Sequence, residues 1–187
     1  MFPLNLPNVL TVLRIMLVPV LVVALLDKTH GGDLLAAIVF AAASLTDAVD
    51  GHLARTRGSI TTFGKLMDPL ADKLLIIAAL VSLVSLGRVQ AWVAMVIIAR
   101  EFAVTALRMG ALQQGVVIAA GQLGKLKTIV QVAAVMALIA VHGHPLWVSL
   151  LVYATVLITV LSGADYFFGL RRGISKRDRT RAEQAGA

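Results

Sequence analysis

Apolar runs of about 20 residues, the length that crosses a bilayer as a helix, recur six times along this chain. The first runs from about Val9 to Leu26. The second starts near Asp33, is apolar through Leu45 and carries acidic residues on its end. The others run from about Pro69 to Leu86, Gln90 to Met109, Leu123 to Val141 and Pro145 to Phe168. Short breaks separate them at Asp27–Gly32, Gly58–Lys65, Gly87-Arg88, Gly110–Gly121 and His142–His144. No alternation of apolar and polar residues persists, so strands are not expected. The chain is 59% hydrophobic, against about 45–50% for a soluble domain. These patterns predict an all-α polytopic membrane protein with six transmembrane helices. A single catalytic domain is expected over residues 1–170, followed by a basic tail, 171–187, that is either a surface helix or disordered.

Charge sets the expected orientation, because cytoplasmic loops carry the excess of lysine and arginine. Six spans put both termini on one side. That side collects Arg14, Arg55, Arg57, Lys65, Lys73, Arg100, Arg108, Lys125, Lys127 and the six cations of the tail. The opposite side keeps Lys28 and Arg88. The termini are therefore expected in the cytoplasm, in a bacterial inner membrane. The net charge of +7 fits anionic lipid headgroups, with no nucleic acid partner expected. The chain has no cysteine, which excludes disulfide and thiolate chemistry. The first run is interrupted by Arg14 and Pro19 and lacks a small-residue cleavage site, so no secretory signal is read.

Four aspartates interrupt this apolar pattern within 26 residues. They lie in Asp47-Ala48-Val49-Asp50-Gly51-His52-Leu53-Ala54-Arg55 and, eight residues on, in Gly64-Lys65-Leu66-Met67-Asp68-Pro69-Leu70-Ala71-Asp72. Ionisable groups near hydrocarbon are expensive and mark functional sites. On helices, spacings of three and of four put each pair of carboxylates on one face. Two such pairs can enclose one or two hard divalent cations through oxygen. Four negative charges would match two dications and would otherwise repel one another. Gly51 permits close approach to the backbone, and Arg55 suits two-point contact with phosphate oxygens. Metals, an arginine and a glycine-lined backbone suit a pyrophosphate. One such aspartate would ordinarily pair with a nearby lysine or arginine; four at these spacings point to metal.

At these positions the chain resembles the CDP-alcohol phosphotransferases, whose signature is Asp-x-x-Asp-Gly-x-x-Ala-Arg, eight residues, Gly-x-x-x-Asp-x-x-x-Asp. Asp47, Asp50, Gly51, Ala54, Arg55, Gly64, Asp68 and Asp72 match every fixed position. The resemblance implies a six-helix membrane enzyme, usually a homodimer, that joins an alcohol to the phosphate of a CDP-linked donor and releases CMP. It implies two divalent cations, Mg²⁺ or Mn²⁺, held by Asp47, Asp50, Asp68 and Asp72. Gly51, Arg55 and Gly64 would contact the CDP-diacylglycerol donor, and Asp72 is the candidate general base. Asn8 either belongs to the turn chemistry around Pro7 or lies near the nucleotide.

Arg100, Arg108, Lys125 and Lys127 flank the fourth and fifth spans on the acidic side. Arg100 and Arg108 are eight apart, near two helical turns, and so share a face. Cations beside a neutralised metal site favour a phosphorylated acceptor, although positive-inside bias alone also places lysine and arginine there. The segments Asn5–Arg14, Ala99–Arg108 and Gly124–Thr128 resemble the branch of the family that uses glycerol 3-phosphate. Branches that make phosphatidylinositol phosphate or cardiolipin remain alternatives, because they too use basic pockets. A cation-coupled transporter is the rival from another class. Its sites tend to lie at the midplane of inverted repeats, and no repeat is seen here. His52 is read as a headgroup-level side chain, and His142 and His144 as a plain loop. Glu101 is expected to pair with a neighbouring arginine. Trp92, Trp147 and Tyr153 read as interfacial or packing aromatics.

Overall fold

The computed structural model describes the backbone of residues 6–27, 31–57, 62–113, 122–143 and 145–185. Side chains are described for residues 9, 11–27, 31–46, 73–113, 122–143 and 145–169. The described residues form six helices and no strand: α1 Leu6–Leu26, α2 Gly32–Arg57, α3 Thr62–Ser85, α4 Ala91–Gln113, α5 Gln122–Ala140 and α6 Leu146–Ala185. All six expected helices are present. Several of them outrun their apolar cores; α1 begins at Leu6, and α4 runs on through residues 110–113, read from sequence as part of a break. α3 begins at Thr62, so residues 62–65, read from sequence as part of a break, are helical. α2 continues to Arg57, and α6 continues unbroken through the polar tail to Ala185. Hydropathy marks only the stretch that suits hydrocarbon, whereas a helix satisfies its own backbone and can carry on into the headgroup layer.

α1 lies between α2 and α3, while α4 and α5 each pack on α6. Contacts of α2 with α5 and of α3 with α4 join the two groups. The buried face of α2 is Ala36, Val39, Phe40 and Ala43, the i, i+3, i+4, i+7 stripe of a helix packed on one side. It meets Leu21, Ala24 and Leu25 of α1 in one core with Leu75, Ala79, Leu80 and Leu83 of α3. Small residues let the helix backbones come close, the usual means of packing helices in lipid. The tightest approach is at Gly32, where an added Cβ would sit 2.7 Å from the carbonyl oxygens of Ala24 and Asp27. Gly87, at φ 70°, makes the turn from α3 into α4 that a side chain would strain.

Many large apolar side chains point outward. Leu34, Leu45, Met95 and Ile129 are each 67% exposed or more. So broad an apolar surface suits lipid rather than water. α5 and the Leu146–Gly169 part of α6 are by themselves long and apolar enough to cross a bilayer. Shorter apolar stretches occupy Thr11–Leu26, Gly32–Thr46 and Lys73–Ser85.

One ion network ties three helix junctions together. Arg88, in the α3–α4 turn, donates from Nη2 to Asp33 Oδ2 at 2.8 Å and from Nη1 to the carbonyl of Ile139 at 3.0 Å. His142, just after α5, places Nε2 2.5 Å from the same Asp33 oxygen. The start of α2, the end of α3 and the end of α5 therefore meet at one end of the bundle. Helix direction alternates, and the α2–α3 junction and the start of α5 lie at the opposite end. Nearby, Trp92 of α4 stacks on Tyr153 of α6 with ring centroids 6.2 Å apart.

Candidate active site

The acidic motif spans the last turns of α2 and the first turns of α3. Asp47, Asp50, Gly51 and Arg55 are helical in α2, and Gly64, Asp68 and Asp72 are helical in α3. The helical backbone puts Asp47 with Asp50, and Asp68 with Asp72, at positions that share a face. Only residues 58–61 separate the two helices along the chain. The side chains of these seven residues, and of Asn8 and His52, lie outside the described ones. Among the described residues no group of three or more histidine or carboxylate side chains gathers to hold a metal. The oxygen-donor set expected from sequence, Asp47, Asp50, Asp68 and Asp72, lies outside the described side chains.

The basic half of the site is described in atomic detail. Lys127 of α5 is only 4% exposed and forms an ion pair with Glu101 of α4. Arg100 sits 3.7 Å from the same carboxylate oxygen and donates from Nη2 to Ser162 Oγ of α6 at 2.9 Å. Gly163 of α6 packs against this arginine: a Cβ there would make ordinary contact with its Cγ, at 3.4 Å. Two turns further along α4, the Arg108 guanidinium lies over the Tyr166 ring, 5.7 Å from its centroid. Arg100 and Arg108 thus both address α6, as their spacing predicts. Lys73, which follows Asp72 in α3, and Arg100 both lie within electrostatic reach of Lys127. This links the acidic motif to the basic cluster.

Arg100 and Lys127 share one carboxylate, Glu101, while Arg108 rests over Tyr166, and among the described residues no other carboxylate forms an ion pair with the three. A surplus of two positive charges so close together suits an anion of about two negative charges, such as a phosphate monoester at neutral pH. Lys125 is exposed, whereas Lys127 is buried. Two residues along a helix lie about 200° apart, so the structure does not bring the two lysines together. Glu101 does pair with a neighbouring arginine, as expected, and pairs also with a lysine from another helix.

Sequence reading passed over Gln131, Thr159, Ser162 and Tyr166, all buried beside this cluster. The signal was present: Thr155, Thr159, Ser162 and Tyr166 follow a 4, 3, 4 spacing within an apolar span, a polar stripe on one helical face.

Comparison with known proteins defines the class. Residues 4–161 match the CDP-alcohol phosphatidyltransferase family, and the chain belongs to it. It is 44% identical over 181 residues to the CDP-diacylglycerol–glycerol-3-phosphate 3-phosphatidyltransferase of Bacillus subtilis, covering 87% of this chain and 93% of that protein. It is 42% identical over 170 residues to a probable phosphatidylglycerophosphate synthase of Mycobacterium tuberculosis, covering 87% and 79%. A CDP-diacylglycerol–glycerol-3-phosphate 3-phosphatidyltransferase of Rickettsia felis is 34% identical over 169 residues, covering 87% and 93%. Members of the family are membrane enzymes that use divalent metal ions.

Proposed function

We propose that this chain transfers the phosphatidyl group of CDP-diacylglycerol to glycerol 3-phosphate, giving phosphatidylglycerophosphate and CMP. The observation that carries the acceptor assignment is the cluster of three cations, Lys127 buried, Arg100 half-buried and Arg108 exposed over Tyr166, with the single carboxylate of Glu101 among them. A neutral alcohol would leave that charge unanswered. A phosphorylated one balances it. The names of the relatives support the same acceptor.

In this reading Asp47, Asp50, Asp68 and Asp72 hold two divalent cations, Mg²⁺ or Mn²⁺. When bound, these ions neutralise charge on the donor diphosphate and on the departing CMP. Arg55 contacts the same phosphates, and Gly51 and Gly64 keep the backbone open to them. Asn8 lies near the nucleotide. Arg100, Arg108 and Lys127 hold the acceptor phosphate, with Lys125 drawing it in from the exposed surface. Asp72 orients the acceptor hydroxyl and takes its proton. The hydroxyl oxygen bonds to the phosphorus that bears diacylglycerol, and the bond from that phosphorus to the CMP oxygen breaks. The reaction takes place at the cytoplasmic face of a bacterial inner membrane, in a homodimer.

The test is direct. Purified protein is incubated with CDP-diacylglycerol, Mg²⁺ and, in parallel, glycerol 3-phosphate, inositol phosphate, phosphatidylglycerol or glycerol. CMP release and the lipid product are then measured. Turnover with glycerol 3-phosphate far above the rest is expected. Preference for another acceptor would reassign the branch.

A further inference from the structure

Among the described residues, several buried polar atoms beside the cation cluster lack a hydrogen-bond partner, Arg100 Nε and Tyr166 Oη among them; two others belong to neutral, non-aromatic side chains, Gln131 Oε1 and Thr159 Oγ1. Their residues are 3% and 0% exposed. Buried polar groups are nearly always hydrogen-bonded, and one that is not calls for a reason. Gln131 lies one helical turn beyond Lys127 on α5, on the same face. Thr159 lies one turn before Ser162, which receives Arg100 at 2.9 Å and donates to the Thr159 carbonyl at 3.1 Å. One turn earlier on α6 the polar side chain is satisfied: Thr155 donates to the carbonyl of Leu151 at 2.8 Å and reaches that of Val130 at 3.5 Å. That second contact sets the register of α5 against α6: in this antiparallel pair Gln131 lies level with Thr155 and Thr159 level with Lys127, one helical turn apart along the pair.

We propose that Gln131 and Thr159 form the floor of the acceptor pocket and read the hydroxyl of the acceptor that does not attack phosphorus. The chemistry selects this ligand. Gln131 Oε1 can only accept a hydrogen bond, so it disfavours an anion. Thr159 Oγ1 can donate and accept, and an alcohol hydroxyl, itself donor and acceptor, can answer either atom. The cations above read the phosphate, and the neutral floor reads the carbon skeleton. This rests on the acceptor being glycerol 3-phosphate, whose middle hydroxyl is the group left over once the phosphate and the attacking hydroxyl are assigned.

The experiment compares glycerol 3-phosphate with 3-hydroxypropyl phosphate, the same molecule without its middle hydroxyl. Sites built to hydrogen-bond a hydroxyl strongly reject the analogue that lacks it. The expected preference in kcat/KM is about 100-fold for the native chain. It should fall below about tenfold in Gln131→Met and in Thr159→Val, and survive in Thr159→Ser. Thermal stability of the Met and Val variants should hold or rise, because an unanswered polar group has been removed from the interior. An undiminished preference in both variants overturns the proposal, and so does a loss of stability with the preference intact. A measurement on the native chain alone guards against variants that do not fold: glycerol 3-phosphate should raise Tm more than the deoxy analogue, and equal shifts overturn the floor. Failure of the native chain to release CMP with glycerol 3-phosphate is a separate result, and removes the functional reading itself.

Discussion

Lys127 of α5 and Glu101 of α4 are ion-paired inside the bundle, with the lysine side chain 4% exposed and the glutamate 17%. The pair joins two helices that otherwise each pack on α6. Breaking a buried pair from one side strands a charge, at a cost of about 3–5 kcal/mol. Glu101→Gln should therefore lower Tm in detergent markedly and impair acceptor binding, because Lys127 and Arg100 lose the carboxylate that holds them in place. Glu101→Asp should recover part of both. A Glu101→Gln protein with native Tm and native KM for glycerol 3-phosphate would show that the pair holds nothing in place.

Arg108 differs from Arg100 in being exposed, resting over the Tyr166 ring rather than locked to Ser162. It is free to move onto a phosphate without leaving a buried partner unsatisfied. Arg108→Ala should raise the KM for glycerol 3-phosphate roughly tenfold or more, since a charged hydrogen bond contributes about 1.5–3 kcal/mol. Its Tm should change little. Steady-state kinetics with CDP-diacylglycerol saturating give the answer, and an unchanged acceptor KM removes Arg108 from the pocket.

Much of this was legible from sequence, for physical reasons that differ by element. Six helices follow from apolar runs matched to bilayer thickness. Their ends do not, because polar turns such as Thr62–Lys65 and the α6 tail stay helical without any hydropathy signal. Arg100 and Arg108 share a face by arithmetic alone. The separation of Lys125 from Lys127 follows from the same arithmetic, but it takes the packing of α5 to say which lysine is buried. The partner of Glu101 was half legible: a local arginine can be guessed, whereas a lysine 26 positions away depends on tertiary structure. Ser162 and Tyr166 went unread because hydroxyls in an apolar span can be satisfied locally, as Thr155 is by the Leu151 carbonyl. His142 reads as loop from sequence and is one, yet it closes an ion network with a residue at position 33.

Chelation should abolish activity reversibly. Four carboxylates at the α2–α3 junction match an all-oxygen, divalent site. EDTA should bring CMP release to background, and added Mg²⁺ or Mn²⁺ should restore it, whereas Ca²⁺ alone is expected to do so poorly because it tolerates looser geometry. Asp47→Asn and Asp68→Asn should raise the metal concentration needed for half-maximal rate. Full activity in excess EDTA would remove metal from the reaction.

Asp72→Asn separates two roles. A residue that orients and deprotonates the hydroxyl contributes about 10²–10⁴-fold to turnover. If Asp72 acts mainly this way, kcat should fall by at least about 100-fold while CMP and metal binding stay near native, as read by calorimetry. Loss of nucleotide and metal binding together would make Asp72 a ligand alone.

The network of Asp33, Arg88 and His142 offers the contrasting case, because it lies at the end of the bundle away from the basic cluster. Arg88 answers both the Asp33 carboxylate and the Ile139 carbonyl at the end of α5, with only 18% of its side chain exposed. Arg88→Met leaves those acceptors without their donor, and a buried group left unpaired costs about 1–3 kcal/mol. For a chain of this size, each kcal/mol corresponds to a Tm change of roughly 2–4 °C. A fall of about 5 °C is therefore expected, with KM for both substrates within about twofold of native. His142→Ala should cost less, since its side chain is 67% exposed and exposed pairs contribute about 0–1 kcal/mol. If Arg88→Met instead raised the KM for glycerol 3-phosphate at unchanged Tm, the two ends of the bundle would be coupled through α4, the helix that starts just after Arg88 and carries Arg108.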